Sequence, residues 1–172
     1  MKHKFLLMYS WFVRVILFFF PDIPFIMRFR GFLYSLGMKK CGRNFQVAHN
    51  VIINSLEGLT VGDNVYFATN SVFFTLHNVT LGDNIMFGPG CLLTCGNHTF
   101  LNESYRYGPA IYKDVTIGNG CWIGGHCVIL SGAYLPDRSV LAAGAILTHH
   151  LDDIKEDSIY GGIPAKYLKG RA

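Results

Sequence analysis

Between Ile117 and Leu147 a branched aliphatic residue returns every six positions, as Ile117, Ile123, Ile129, Leu135, Leu141 and Leu147. Four residues after each of the first five stands a small residue: Cys121, Cys127, Ala133, Ser139 and Ala145. This period matches neither an amphipathic helix nor a simple alternating strand. It requires a chain that makes a short strand, turns a corner and repeats, so that one large and one small side chain per side enter a shared core. The chain is therefore read as an all-β repeat solenoid. Gly118, Gly124, Gly132 and Gly144 supply corner residues that tolerate unusual dihedrals.

The solenoid is expected to begin at Cys41, with a different period. Gly42-x-Asn44, Gly62-Asp63-Asn64 and Gly82-Asp83-Asn84 recur every 20 residues, which is three hexads plus two residues per coil. The hexad frame there runs through Val47, Ile53, Val61, Phe67, Phe73, Leu81, Phe87 and Leu93. Successive coils lie one strand spacing apart, about 4.8 Å, so residues 20 apart should form columns. Asn50 and Asn70 read as one such structural ladder, and Gly58, Asn78 and His98 as another column.

His98, in TCGNHTF, directly precedes the one long interruption, roughly residues 99–113, whose sequence TFLNESYRYGPAIYK has no hexad register. A loop of this length pushed out of a compact solenoid is more often functional than idle. Leu81 and Ile117 are 36 residues apart, so the loop should leave the frame undisturbed. After Leu147, the Gly161-Gly162 turn, Pro164 and Lys166 are expected to fold the tail back over the last coil, which would otherwise expose an open strand edge.

Length and composition give one domain with a continuous core: 172 residues, half of them apolar. Five cysteines with no CxxC pair argue against a zinc ribbon or disulfide framework. Cys91, Cys121 and Cys127 occupy the small inward position and read as reduced core residues, which implies a cytoplasmic home. The charge is uneven. Residues 1–43 hold eight Lys or Arg against one acid, Asp22, a polarity that points to an anionic surface at that end. No nucleic-acid partner is expected.

Residues 1–40 form a separate apolar and basic segment. Phe5 to Phe20 is nearly all apolar, but it is too short to span a bilayer comfortably and carries Arg14 at its middle. Ile23 to Met38 mixes apolar residues with Arg28 and Arg30. Two readings stand: interfacial helices over residues 5–38 with basic residues at anionic headgroups, or helices that cap the open end of the solenoid or pack between subunits. The first makes the protein peripheral on the inner face of the cytoplasmic membrane.

The run VTIGNGCWIGGHCVILSGAYLPDRSVLAAGAIL, followed by GGIPAK, resembles the hexapeptide-repeat acyltransferases. That resemblance covers Cys41 to Lys166 and implies a left-handed parallel β-helix, a handedness the period alone does not give. It also implies a homotrimer, acetyl-CoA as co-substrate with no metal, and a saccharide acceptor. In the resembling enzymes the base is a histidine before an extruded loop, which His98 matches. Aligned on WIGG, AAGAI and IPAK, Gly125 would lie at the thioester end, Ala143, Gly144 and Thr148 along the pantetheine arm, and Lys166 near the phosphates, with Trp122 at the slot's edge. Equally, each Gly or Ala is a plain corner residue and Trp122 is packing. Asn78, Glu103 and Tyr105 are the candidate acceptor contacts, and Asn78, Glu103 or a backbone carbonyl could orient His98.

The chemistry asked of such a site is small: a base for the hydroxyl proton, a donor for the oxyanion, and a slot for the thioester. Neutral histidine suits the first role near pH 7. Galactoside and maltose acetyltransferases carry polar acceptor contacts where this chain has Ala68 and Leu76. Capsule, O-antigen and exopolysaccharide acetyltransferases are closer in length and motif style, which points to a sugar of a surface polysaccharide or its lipid-linked precursor. N-acetylation of an amino sugar nucleotide and a non-catalytic scaffold are the alternatives. A γ-class carbonic anhydrase would need a close histidine pair with a third from another coil, and no histidines here stand five apart.

Overall fold

The computed structural model describes residues 2–171. Two helices, α1 (Lys2–Ile16) and α2 (Pro24–Ser35), precede a solenoid of short parallel strands that wind around three faces. The first face stacks Lys40–Cys41, Leu59–Val61, Val79–Leu81, Val115–Ile117 and Tyr134–Leu135. The second begins at Gln46–Val47 and ends at Ser158–Gly161 and Lys166–Gly170, and the third runs from Ile52–Asn54 to Ile146–Leu147.

Register shows how the hexads fill the core. Val61 pairs with Leu81, Leu81 with Ile117 and Ile117 with Leu135, so neighbours in one column are 20, 36 and then 18 residues apart. The 36-residue step keeps the frame, as the sequence implies. Every large hexad position is buried. In the lower coils the column is aromatic: Phe67 stacks on Phe73 with centroids 3.9 Å apart, and Phe87 meets both edge-on at 5.2 Å. Such arrangements suit the ring quadrupole. Cys91, Cys95, Cys121 and Cys127 are buried and free, and burial pushes the Cys91 and Cys121 thiols up to about 11.

The recurrent Gly-Asp-Asn is explained at the corner between the first and second faces. A Cβ on Gly62 would lie 2.3 Å from Asp83 Oδ1, because that carboxylate accepts the Asp63 N–H at 2.7 Å. Asn44, Asn64 and Asn84 all hold positive φ, and their amides bond upward from coil to coil, Asn44 Nδ2 to Asn64 Oδ1 and Asn64 Nδ2 to Asn84 Oδ1. Asn50 and Asn70 form the expected ladder, with the Asn70 N–H donating to Asn50 Oδ1 at 2.9 Å.

The helices cap the open first coil. Leu6, Ser10, Val13 and Leu17 recur at helical spacing and turn inward, and so do Met27, Arg30 and Tyr34. Arg30 does not join the headgroup-facing cations that the sequence suggests. It is 1% exposed and holds the cap together, donating to Asp22 Oδ1 at 2.6 Å and to the carbonyls of Val47, Leu17 and Phe20, so it is not free for a headgroup. A buried guanidinium needs that many acceptors to offset its desolvation. Asp22 also accepts from His49. No helix among the described residues is long and apolar enough to cross a membrane. At the other end Ser158–Gly161 adds a parallel strand and Lys166–Gly170 folds back on it antiparallel, the cover expected of the tail.

Candidate active site

The two extra residues of each lower coil fall at the corner between the third and first faces. Ile53 to Val61 and Phe73 to Leu81 are eight apart, whereas Ile129 to Leu135 is six. The same corner, one coil higher, emits the interruption. It is a hairpin that begins earlier than the sequence suggests: Gly96–His98 pairs antiparallel with Ala110–Tyr112, and Thr99 Oγ1 donates to the Pro109 carbonyl at 2.6 Å. His98 therefore leaves the column expected with Asn78. In its place Asp114 stands over Asn78, which donates to Asp114 Oδ1 at 3.2 Å and accepts from Lys39 Nζ at 3.0 Å.

His98 lines a cavity of about 510 Å³ that this widened corner leaves open. Phe74, Leu76 and Leu92 of the coils, Tyr112 of the hairpin, and His3 and Leu7 of α1 share the lining. Asn78, Glu103 and Tyr105 do not. Glu103 and Tyr105 sit exposed toward the hairpin tip, where the Tyr105 ring meets Phe100 with centroids 4.9 Å apart. Among the described residues the His98 ring makes no hydrogen bond, so none of the proposed orienting groups touches it. The Cys95 carbonyl is taken by the Lys113 N–H and by Ser131 Oγ.

Across the hairpin strand lies a second cavity of about 400 Å³, bordered by Asn97, Ser131, Thr148, His149, His150 and Lys166. Thr148 and Lys166 thus come together beside the hairpin. Desolvation, with His150 and Lys113 nearby, holds the His149 imidazole below its ordinary pKa.

Gly125, Ala143 and Gly144 cluster at a different corner, between the second and third faces, and Trp122 stands half-exposed on the second face just before it. The Gly144 N–H donates to the Gly125 carbonyl at 2.9 Å. The N–H groups of Gly125 and Ala143 find no partner among the described residues, and each nitrogen lies close over a glycine of the coil below, Gly88 and Gly124, where no Cβ would fit. Gly144 has φ +73 with open space where a Cβ would stand, so its backbone conformation alone accounts for the glycine. The Gly125 and His98 corners lie at opposite ends of the third-face strands, roughly 15 Å apart at strand rise. One chain does not bring them together.

Residues 114–149 match the family model described as hexapeptide repeat of succinyl-transferase. Within that stretch the chain carries the hexapeptide repeat. A 55-residue stretch is 40% identical to galactoside O-acetyltransferase of Escherichia coli K12, covering 32% of this chain and 26% of that protein. The matched stretches span only about a quarter to a third of the curated relatives' lengths. In fold the likeness is complete: a hexapeptide-repeat acetyltransferase from Vibrio cholerae superposes over 100% of this chain and 94% of its own, with TM-score 0.83 at 21% identity. A galactoside acetyltransferase in complex with coenzyme A covers 98% of this chain and 82% of its own, with TM-score 0.80 at 24% identity. The chain therefore shares the fold of these structures, a left-handed parallel β-helix. Among its described residues no three His, Cys, Asp or Glu side chains converge as a metal site.

What hexapeptide-repeat motifs do not reveal is the N-terminal wall. His3 and Leu7 reach the cavity because α1 docks on the third face, where Ser10 Oγ donates to the Ile53 carbonyl and His3 Nδ1 lies 2.6 Å from Glu57 Oε1. The one legible hint is the helical spacing of Leu6, Ser10 and Val13, which marks a face that must pack.

Proposed function

We propose that this protein is an acetyl-CoA-dependent O-acetyltransferase that acts on a sugar hydroxyl of a surface polysaccharide or its lipid-linked precursor, with His98 as general base. The observation that carries the reading is the position of His98. It lines a ligand-sized cavity where the hairpin leaves the coil, in a fold shared with a galactoside acetyltransferase that was solved with coenzyme A. In this mechanism His98 takes the hydroxyl proton as the acceptor oxygen attacks the thioester carbonyl. The unpartnered N–H of Gly125 is suited to the developing oxyanion, and the small exposed backbone at Ala143 and Gly144 leaves room for a pantetheine arm. The carbon–sulfur bond then breaks and the proton passes to the departing thiolate, with no acyl-enzyme.

Because His98 and Gly125 occupy separate corners of one chain, the reading requires a neighbouring copy to set one protomer's histidine against another's slot. A homotrimer about the solenoid axis does this. Thr148 and Lys166, beside the hairpin and next to His149 and His150, suit the polar end of coenzyme A. Membrane contact is supported by two exposed apolar stripes at helical spacing, Phe5, Met8, Phe12, Ile16 and Phe19 around α1 and Phe25, Phe29, Phe32 and Leu36 around α2. Lys2 and Lys4 stand exposed beside them, as does Arg28, whose Nε donates to Asn44 Oδ1 at 2.8 Å. On this reading the enzyme works at the cytoplasmic face of the membrane.

The decisive experiment measures thiol release from acetyl-CoA with sugar acceptors. His98→Ala is expected to lower turnover by about 10²–10⁴-fold while circular dichroism stays native, since the side chain is exposed. Undiminished turnover sinks the assignment. For the membrane, intact protein should sediment with phosphatidylglycerol vesicles and the Phe12→Glu, Phe32→Glu variant should not. Equal sedimentation removes the stripes from consideration.

A further inference from the structure

The cavity beside His98 has the wrong lining for a ligand that is hydroxyl all round. Most of its wall surface is apolar, supplied by Leu7, Phe74, Leu76, Leu92, Ala110 and the Tyr112 ring. Phe74 and Leu76 are more than two-fifths exposed on this chain, so their apolar surface faces the opening and is not spent on the core. The His3 ring at its edge is turned to Glu57, with Nδ1 2.6 Å from Glu57 Oε1. Apart from His98, that leaves a few placed polar groups, the amides of Asn54 and Asn97 and the hydroxyls of Ser55 and Thr94. Sites that bind small molecules tightly combine an apolar body with a few placed polar groups, and volumes of about 300–1,000 Å³ are typical. This cavity has that size and that balance.

Two features of the fold build it. The eight-residue step at this corner pushes the segment from Phe74 to Leu76 outward in the coil below the hairpin. Docking of α1 then lays Leu7 across the opening, one residue from the exposed Met8 of the apolar stripe. The cavity is thus continuous with the most apolar surface of the molecule.

We propose that the acceptor is an amphiphilic alcohol, whose apolar group lodges against Leu7, Phe74, Leu76 and Tyr112 while the hydroxyl to be acetylated reaches His98. This rests on the acetyltransferase reading above and narrows its substrate class. The transfer itself is balanced: the acceptor O–C bond forms, the thioester C–S bond breaks, and the hydroxyl proton moves through His98 to the thiolate. An apolar group beside a hydroxyl is found both on a lipid-anchored sugar and on a small soluble glycoside with an apolar aglycone, and the test separates the two.

Acetyl transfer from acetyl-CoA to methyl and hexyl glucosides is compared below the micellar concentration. Each methylene that enters the cavity is expected to raise kcat/KM about fourfold, so hexyl should exceed methyl by at least about sixtyfold once three of its extra methylenes are inside. Leu76→Asn and, independently, Leu7→Gln should bring the ratio down toward one. Leu76 is half-exposed, so its replacement leaves the core intact. Equal kcat/KM for the two glucosides overturns the proposal and leaves an acetyltransferase. Calorimetric binding of hexyl but not methyl glucoside, lost in Leu76→Asn and without any transfer, upholds the cavity's preference and overturns the enzymatic reading instead. Binding and transfer of neither glucoside overturn both. A third arm presents hexadecyl glucoside in phosphatidylcholine–phosphatidylglycerol vesicles. Faster transfer there than to soluble hexyl glucoside assigns a lipid-anchored acceptor, and the reverse assigns a soluble one.

Discussion

Below the hairpin each coil takes 20 residues, stacks phenylalanines and opens wide at one corner. Above it each takes 18, stacks isoleucine, leucine and cysteine, and turns all three corners tightly. The two extra residues carry the difference. They give the lower coils a perimeter that needs aromatic rings to fill it, and they leave the recess in which His98 stands. The upper coils, with nothing to spare, present bare backbone at Gly125 and Ala143. The contrast teaches that a single repeat can hold two kinds of surface on one core: a roomy, side-chain-lined hollow and a narrow, main-chain-lined shelf.

The largest effect that would break this division lies in the lower core. Phe73→Ala removes a fully buried ring that stacks on Phe67 and meets Phe87, and should cost about 3–5 kcal/mol in urea unfolding. Ile129→Val, two coils above it on the same face, should cost only about 0.5–1.5 kcal/mol. A loss as small for Phe73→Ala would show that Phe67 and Phe87 close over the space it leaves.

The shelf is sharpened by Ala143→Leu. Ala143 is exposed, so its melting temperature should hold, while the KM for acetyl-CoA rises about tenfold or more as the side chain fills the groove. An unchanged KM would move the donor elsewhere.

The smallest expected effect concerns acid. The Arg43 N–H and then its guanidinium hold the Asp63 carboxyl below its ordinary value of 3.8. A depressed folded-state pKa gives stability that is present above the unfolded value and lost as pH falls through the folded one. The urea midpoint should therefore drift down below about pH 4, and Asp63→Asn should flatten that drift slightly. Because the group is exposed, a steep drop assigned to Asp63 would contradict its setting.

Much of this fold was legible because each hexad position answers to one local demand. Ile123 must be large and inward, Gly62 must leave room for the carboxylate of the next coil, and Asn64 must accept a left-handed turn. His98 could be singled out from its place before the interruption. The hairpin's true start at Gly96 could not, since antiparallel pairing with Tyr112 leaves no trace in a six-residue period. Counting in twenties put His98 over Asn78, but the period ends at that very corner and Asp114 takes the position. Arg30 looked like a surface cation because its partners, Asp22 and three carbonyls, are assembled only when α2 docks. The cavity's far wall was hidden for the same reason: Leu7 reaches it across a fold, not along a chain.

The uninterrupted frame across the 36-residue step has an evolutionary corollary. Leu81 meets Ile117 as though nothing lay between them, so the intervening hairpin can be lengthened, recoloured or exchanged without any strand changing its neighbour. A lineage built on such a column is free to vary what lines one corner while the backbone of the other two is inherited untouched.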